Sequence, residues 1–257
     1  MPVLYEAAQH KHWHLIEYLL DHGALPDIVV GGKHCALNSA CSAGELEIVQ
    51  LILNAGAEAK GPSSLVRDGY TCPVHYAAQK GHLEICRLLM QKGAVMNSFG
   101  GDYTTIDTHT PLQWLLMANY QSSKQMLPSA ILDTMDFLLT AGGVTPDDPI
   151  MCGQTPLVLS IVHCGKRAND PETSLAIFRM LLSKGSDPCQ LDNQNRSPLM
   201  YAAMLPNDVG LDFGKALLEI PAVVATVALA DKDGESALSH SFRLGNKLVL
   251  ALLQSLV

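Results

Sequence analysis

Aromatic residues are scarce in this chain, at 5%, and charged residues make up only 16%. A core poor in rings must be assembled from Leu, Ile, Val, Ala and Met, which favours thin layers of helices over one large aromatic centre. Basic residues are outnumbered, 17 against 25 acidic, and no basic run occurs. That excludes a phosphate-backbone binder, which needs clustered cations to displace counterions, so nucleic acid is not an expected partner. Cut at Pro128, the chain has 8 basic and 11 acidic residues before and 9 and 14 after. The halves carry -3 and -5, and neither end is a polarised tail. No apolar run approaches the ~20 residues of a membrane span, and Met1 to Glu6 shows neither the charged nor the apolar region of a secretory signal. The expectation is a soluble cytoplasmic protein without a membrane partner, the nucleus or a host-cell cytosol being compatible locations. Catalytic signatures are missing too: there is no G-x-S-x-G, P-loop, G-x-G-x-x-G or H-E-x-x-H.

The seven cysteines are odd in number and form no C-x-x-C pair. They read as small buried hydrophobes in a reducing compartment, with Cys41 and Cys86 on core-facing slots and Cys152 and Cys164 more exposed. Four histidines crowd the start. His10 and His14 would suit a metal only on one helix face, and residues Lys11 to His14 read as a turn, so no metal and no cofactor is expected.

What the chain does have is repetition. Gly81-His82-Leu83-Glu84-Ile85-Cys86-Arg87-Leu88-Leu89-Met90-Gln91-Lys92-Gly93-Ala94 echoes Gly44-Glu45-Leu46-Glu47-Ile48-Val49-Gln50-Leu51-Ile52-Leu53-Asn54-Ala55-Gly56-Ala57. Fainter echoes end at Gly23, Gly142 and Gly185, and the intervals between these glycines are 33, 37, 49 and 43 residues. The period is therefore about 33 residues with insertions. A second signature precedes each such segment: Thr110-Pro111-Leu112-Gln113, Thr155-Pro156-Leu157-Val158 and Ser197-Pro198-Leu199-Met200, with variants at Cys35, Cys72 and Ser236. The hydroxyl can cap a helix and the proline suits its first turn. The leucine then faces a neighbouring unit, and pairs such as Ala77-Ala78 let two helices approach closely. The glycine after the second helix supplies a left-handed cap.

These motifs resemble the ankyrin repeat, most closely over Asp68 to Ala94. The resemblance implies an all-α ankyrin-repeat solenoid, stacked helix-turn-helix units with projecting hairpin loops, in one domain spanning 1–257. The units fall at about 1–30, 31–66, 67–103, 104–149, 150–189, 190–228 and 229–257. Pro221 stands where a cap glycine is expected, so that helix must stop differently. Insertions near Tyr120 to Ala130, Cys164 to Pro171 and Pro206 to Asp212 fall between the two helices of their units and should thicken one rim.

The resemblance also implies a protein-interaction scaffold that holds a partner protein or peptide on its concave side and performs no catalysis. The finger positions are His34, Tyr70, Thr71, His109, Gln154, Arg196 and Glu235. Tyr76, Trp114 and Tyr201 share one register position on the inner helices, beside Gln79, Lys80, Met117 and Met204. Tyr, Trp and Met are residues of binding hot spots. Phe99 and Tyr103 flank Gly100-Gly101 in a long finger and would make a clamp. Early fingers carry Lys33, Lys60 and Arg67. Late ones carry Asp187, Asp192, Asp231, Asp233 and Glu235 against Arg196 and Lys232, which predicts a partner with basic groups toward the C-terminal end. The apolar last helix, Leu248 to Val257, suggests self-association or a further chain. Two other functions fit the same residues: the recognition module of a longer regulator or of a bacterial effector delivered into a host, and an enzyme or small-molecule binder working at the insertion rim.

Overall fold

The computed structural model describes residues 3–31, 34–61, 71–98, 109–121, 127–150, 152–166 and 171–255, with the backbone alone for the side chains of 118–121, 163–166, 207 and 208. The described chain is helical, with no named strand among those residues. It divides into two compact units, Met1–Val144 and Thr145–Val257.

Unit 1 contains α1 (Val3–Gln9), α2 (Trp13–Asp21), α3 (Ala36–Ala43), α4 (Leu46–Asn54), α5 (Pro73–Gln79), α6 (Leu83–Gln91), α7 (Pro111–Gln121) and α8 (Pro128–Thr140). Each odd helix packs on the even helix after it. The odd ones stack in order as an inner row and the even ones as an outer row. Unit 2 contains α9 (Pro156–Lys166), α10 (Pro171–Ser183), α11 (Pro198–Met204), α12 (Asn207–Leu218), the short α13 (Pro221–Val224), α14 (Ala237–Arg243) and α15 (Lys247–Gln254). Here α9, α11 and α14 form the inner row and α10, α12 and α15 the outer one.

Local chemistry sets the helix starts. Ser197 Oγ accepts the Met200 N–H at 3.3 Å. Thr110 and Gln113 form a reciprocal pair, the Gln113 Oε1 accepting the Thr110 N–H at 2.8 Å and the Thr110 Oγ1 accepting the Gln113 N–H at 3.3 Å. Ser236 and Ser239 build the same box ahead of α14. Each satisfies backbone donors that the first turn cannot. Between pairs the chain turns back in fingers, closed by antiparallel bridges at Val30–His34 and Ala230–Ser236.

The core follows the repeat. Leu37, Val74, Leu112, Leu157 and Leu199 share one register position and are fully buried. Leu238, at that position in the last pair, is half exposed.

Four expectations need correction or completion. The turn after α1 is His10 to His12, not Lys11 to His14: α2 starts at Trp13 and His14 lies in its first turn. The left-handed residue after α8 is Gly143, at φ +63°, not Gly142. Gly142 serves close approach instead, since a Cβ there would lie 2.7 Å from the Leu138 carbonyl oxygen. Pro221 follows the stop of α12 and opens α13, as a residue lacking an N–H can. The inserted residues go largely into helix: α7 and α9 have 11 residues where α5 has 7, and α8 and α10 have 13 where α6 has 9.

Candidate functional site

In unit 1 the inner helices and one finger enclose an open groove of about 400 Å³, floored by Asn38, Ser39 and Ser42 of α3 and walled by Tyr5, Gln9, His34 and Tyr76. The repeat brings these groups together because α1, α3 and α5 present corresponding faces at successive periods. Tyr5 stacks on His34 across 6.0 Å. Burial, then the neighbouring Glu6 and Cys35, push the Tyr5 phenol above its usual value, so it enters the groove as a neutral hydroxyl. Among the described residues that line it, Lys11 is the one Lys or Arg and none is a carboxylate. Tyr76 is half-buried and meets Trp114 edge to face at 5.7 Å, so these two residues of the expected stripe do come together.

Other unit 1 expectations stand separately. Gln79 and Met117 are half-exposed, Lys80 is exposed and His109 is half-buried. Tyr70, Phe99 and Tyr103, with Lys33 and Arg67, lie outside the described residues. The fingers are tied by a residue the stripe argument passed over: buried His75 places Nε2 3.0 Å from the Ser98 carbonyl and 3.1 Å from that of His109. Nε2 therefore donates to both and the ring is neutral. Burial, against these hydrogen bonds, lowers its pKa to about 4. Asn38 repeats the device one pair earlier, donating to the Thr71 carbonyl at 3.3 Å.

In unit 2 the expected partner residues Gln154, Tyr201 and Arg196 belong to a network within the fingers. Gln154 Nε2 donates to the Tyr201 hydroxyl at 2.8 Å, and that hydroxyl donates to Asp192 Oδ2 at 2.6 Å. Burial, then this bond to Asp192, push the Tyr201 phenol up to about 12. Arg196 donates through Nε to Asp231 at 3.1 Å and through a terminal nitrogen to Asp233 at 3.0 Å. Buried Asp231 also lies 2.9 Å from His240 Nε2 and accepts the N–H groups of Asp233 and Glu235. Burial alone would raise its pKa. The hydrogen bonds from Glu235, His240, Arg196 and Asp233 outweigh that and hold it well below the usual carboxylate range.

The acidic surface expected on the late fingers is thereby reduced. Asp192 and Asp231 are interior fasteners, 8% and 6% exposed, and only Asp187, Asp233 and half-buried Glu235 face outward. Asp147 accepts the Asp187 N–H of the next finger at 3.0 Å, as Asp27 accepts that of Glu58 at 3.1 Å. Met204 remains half-exposed. The bonds Asp27–Glu58, Arg196–Asp231, Asp147–Asp187 and Gln154–Tyr201 join residues 31 to 47 apart, and one chain read alone shows no such pairing. The groove-lining Tyr5 had a signal: Leu4 to Gln9 repeats the register of Val74 to Gln79.

The inserted segments of unit 2 border a cleft of about 310 Å³ between α10 and α12, lined by Pro171, Glu172, Leu175, Val209, Asp212 and Phe213. Its described lining is mostly apolar and shows no convergent set of acid, base and nucleophile. Cys41 and Cys86 are fully buried, and burial raises the Cys86 thiol to about 12, which keeps it unreactive near neutrality. Among the described residues no cluster of His, Cys, Asp or Glu suits a metal ion. No described helix is long and apolar enough to cross a membrane.

Helix pairs stacked through Leu and Ala and joined by hairpin fingers define a helical repeat protein. Residues 37–90 match the family model of ankyrin repeats (many copies). The chain is similar in structure to the human ASB11 ankyrin repeat domain, with TM-score 0.72, 19% identity, and coverage of 97% of this chain and 96% of that one. It is likewise similar to the ankyrin repeat domain of Bcl-3, a member of the IkappaB protein family, with TM-score 0.70, 18% identity, and coverage of 98% and 97%. No curated protein matches by sequence. Residues 37–90 thus match ankyrin repeats in sequence, and the chain has the fold of ankyrin-repeat domains. Ankyrin-repeat domains are in general protein–protein interaction modules.

Proposed function

We propose that this chain is a non-catalytic scaffold that holds a segment of another protein in the inner groove of unit 1. The observation behind this reading is the groove itself. It joins two tyrosines and a finger histidine to a floor of amide and hydroxyl groups, with Lys11 at its edge. Tyrosine gives large contact area at small entropic cost, and amides and hydroxyls pair with a peptide backbone of either polarity. A lysine with no carboxylate among the described lining residues favours a segment bearing an acidic side chain. Trp114, Gln79 and Lys80 extend the same surface. In unit 2, Gln154, Arg196 and Tyr201 act as fasteners rather than as contacts. No catalysis and no cofactor belong to this function, and the partner would be met inside a cell, where the six described free thiols stay reduced.

The test fills the groove without touching the core. Ser42 is half-exposed on its floor. A protein retained from lysate by the wild-type chain is expected to be lost, by tenfold or more, on Ser42→Arg and on Tyr76→Ala, with unchanged thermal melts. Equal retention by both variants would reject the groove as the binding surface.

A further inference from the structure

Successive helix pairs cover one another through fixed register positions, and the chain's two ends leave those positions bare. The residue after the helix cap is buried at Ala36, Pro73 and Pro111 in unit 1 and at Pro198 and Ala237 in unit 2. Its counterpart in the first pair, Val3, is 56% exposed. On the outer row, Ile85 and Leu88 are buried, yet their counterparts Leu15 and Tyr18 are exposed, Tyr18 at 60%. The first pair thus presents the side that elsewhere meets a preceding pair. The last pair presents the opposite side. The sixth position after the cap is buried at Ala8, Cys41, Ala78, Ile161 and Ala203, whereas Phe242 is 74% exposed. Leu238 and Leu250 are half-exposed there, although Leu199 and Cys86 at the same positions are fully buried. Fully buried Ile161 shows that this slot accepts a bulky side chain.

We propose that these two faces are mates on different molecules: the last helix pair of one copy stacks against the first helix pair of a second, head to tail. The joint would continue the interface that α14 and α15 already make with α11 and α12. Charge selects this pairing over the symmetric ones. From Val3 to Asp21 the first pair carries Lys11 against Glu6, Glu17 and Asp21; from Ala237 to Gln254 the last pair carries Arg243 and Lys247 and no carboxylate. With the histidines neutral, these spans hold -2 and +2. Two first faces or two last faces would oppose like charges, and a first face on a last face opposes unlike ones. A contact between different surfaces does not close on itself, so it propagates into chains unless geometry forms a ring.

Sedimentation velocity and light scattering on the intact chain test this. The mass of the wild type is expected to rise with concentration from 27.6 kDa through dimers to longer species, and to fall back in high salt. Phe242→Asp alone and Tyr18→Asp alone, both at exposed sites, should remain monomers at every concentration. Mixed in equal amounts they should form dimers and nothing larger, because one intact head then meets one intact tail. A wild type that stays monomeric into the millimolar range overturns the proposal and leaves these faces to another partner. Association that survives in Tyr18→Asp would mean tail-to-tail pairing, and in Phe242→Asp head-to-head pairing; either result also overturns it.

Discussion

Two buried side chains carry more than their size suggests. His75 is neutral in the folded chain, with its pKa lowered to about 4 from an ordinary 6.5. A group whose folded value is depressed in this way binds its proton more readily when unfolded. As pH falls from 6.5 to 4 the balance therefore shifts toward the unfolded chain, and this residue should lower stability by up to about 1.4 kcal/mol for each pH unit of acidification. Urea titrations across that window should show the slope in the wild type and its loss in His75→Asn. Asp231 works at lower pH. Its stabilisation is complete above the ordinary carboxylate range and is lost on acidification below it, as protonation removes the charge that Arg196 and His240 face. Replacing it by asparagine leaves Arg196 without its buried partner. Unit 2 should lose about 3 kcal/mol, read as a lower urea midpoint at pH 7.

At the scale of elements, much of the fold was open to sequence reasoning. Pro73, Pro111, Pro156 and Pro198 open helices as their missing N–H dictates, and the leucine slots before the last pair are buried as the register requires. What stayed hidden had long-range causes. Gly142 and Gly143 are equivalent by composition, and only the approach of Leu138 and Met96 decides which takes the left-handed conformation. Asp192 and Asp231 look like solvated turn residues until the fingers are set side by side, so the acidic surface was overstated. The groove was half legible: Tyr76 and His34 followed from the register, whereas Tyr5 required aligning a degenerate first repeat. That first repeat also holds a strained turn. Lys11 adopts φ +58° where the equivalent residues Gly81 and Gly245 stand at +69° and +70°. A Cβ in this region costs about 1 to 2 kcal/mol. Lys11→Gly is expected to raise stability by about 1 kcal/mol, measured by chemical denaturation, unless the added freedom of the unfolded chain takes back more than half.

At the scale of the whole molecule, the contact pattern is that of a repeat array. Within each unit the inner helices chiefly meet their neighbours in the row and their own outer helix, and the chain resolves into two compact units. Stability in such arrays is a sum of local terms, and long arrays lose all-or-none cooperativity. Damage should then stay near its origin. Asp231→Asn removes a fastener that joins the finger of α11 to that of α14, far along the sequence from α1 to α6. Native-state hydrogen exchange read by mass spectrometry can separate the two responses. In the variant, peptides covering α11, α12, α14 and α15 should exchange faster, by about two orders of magnitude for a loss near 3 kcal/mol. Peptides covering α3 to α6, with Leu37, Ile52, Val74 and Leu89 fully buried, should keep their wild-type protection. Equal acceleration along the entire chain would mean that the protein unfolds as one cooperative block, and the local account of its stability would then fail.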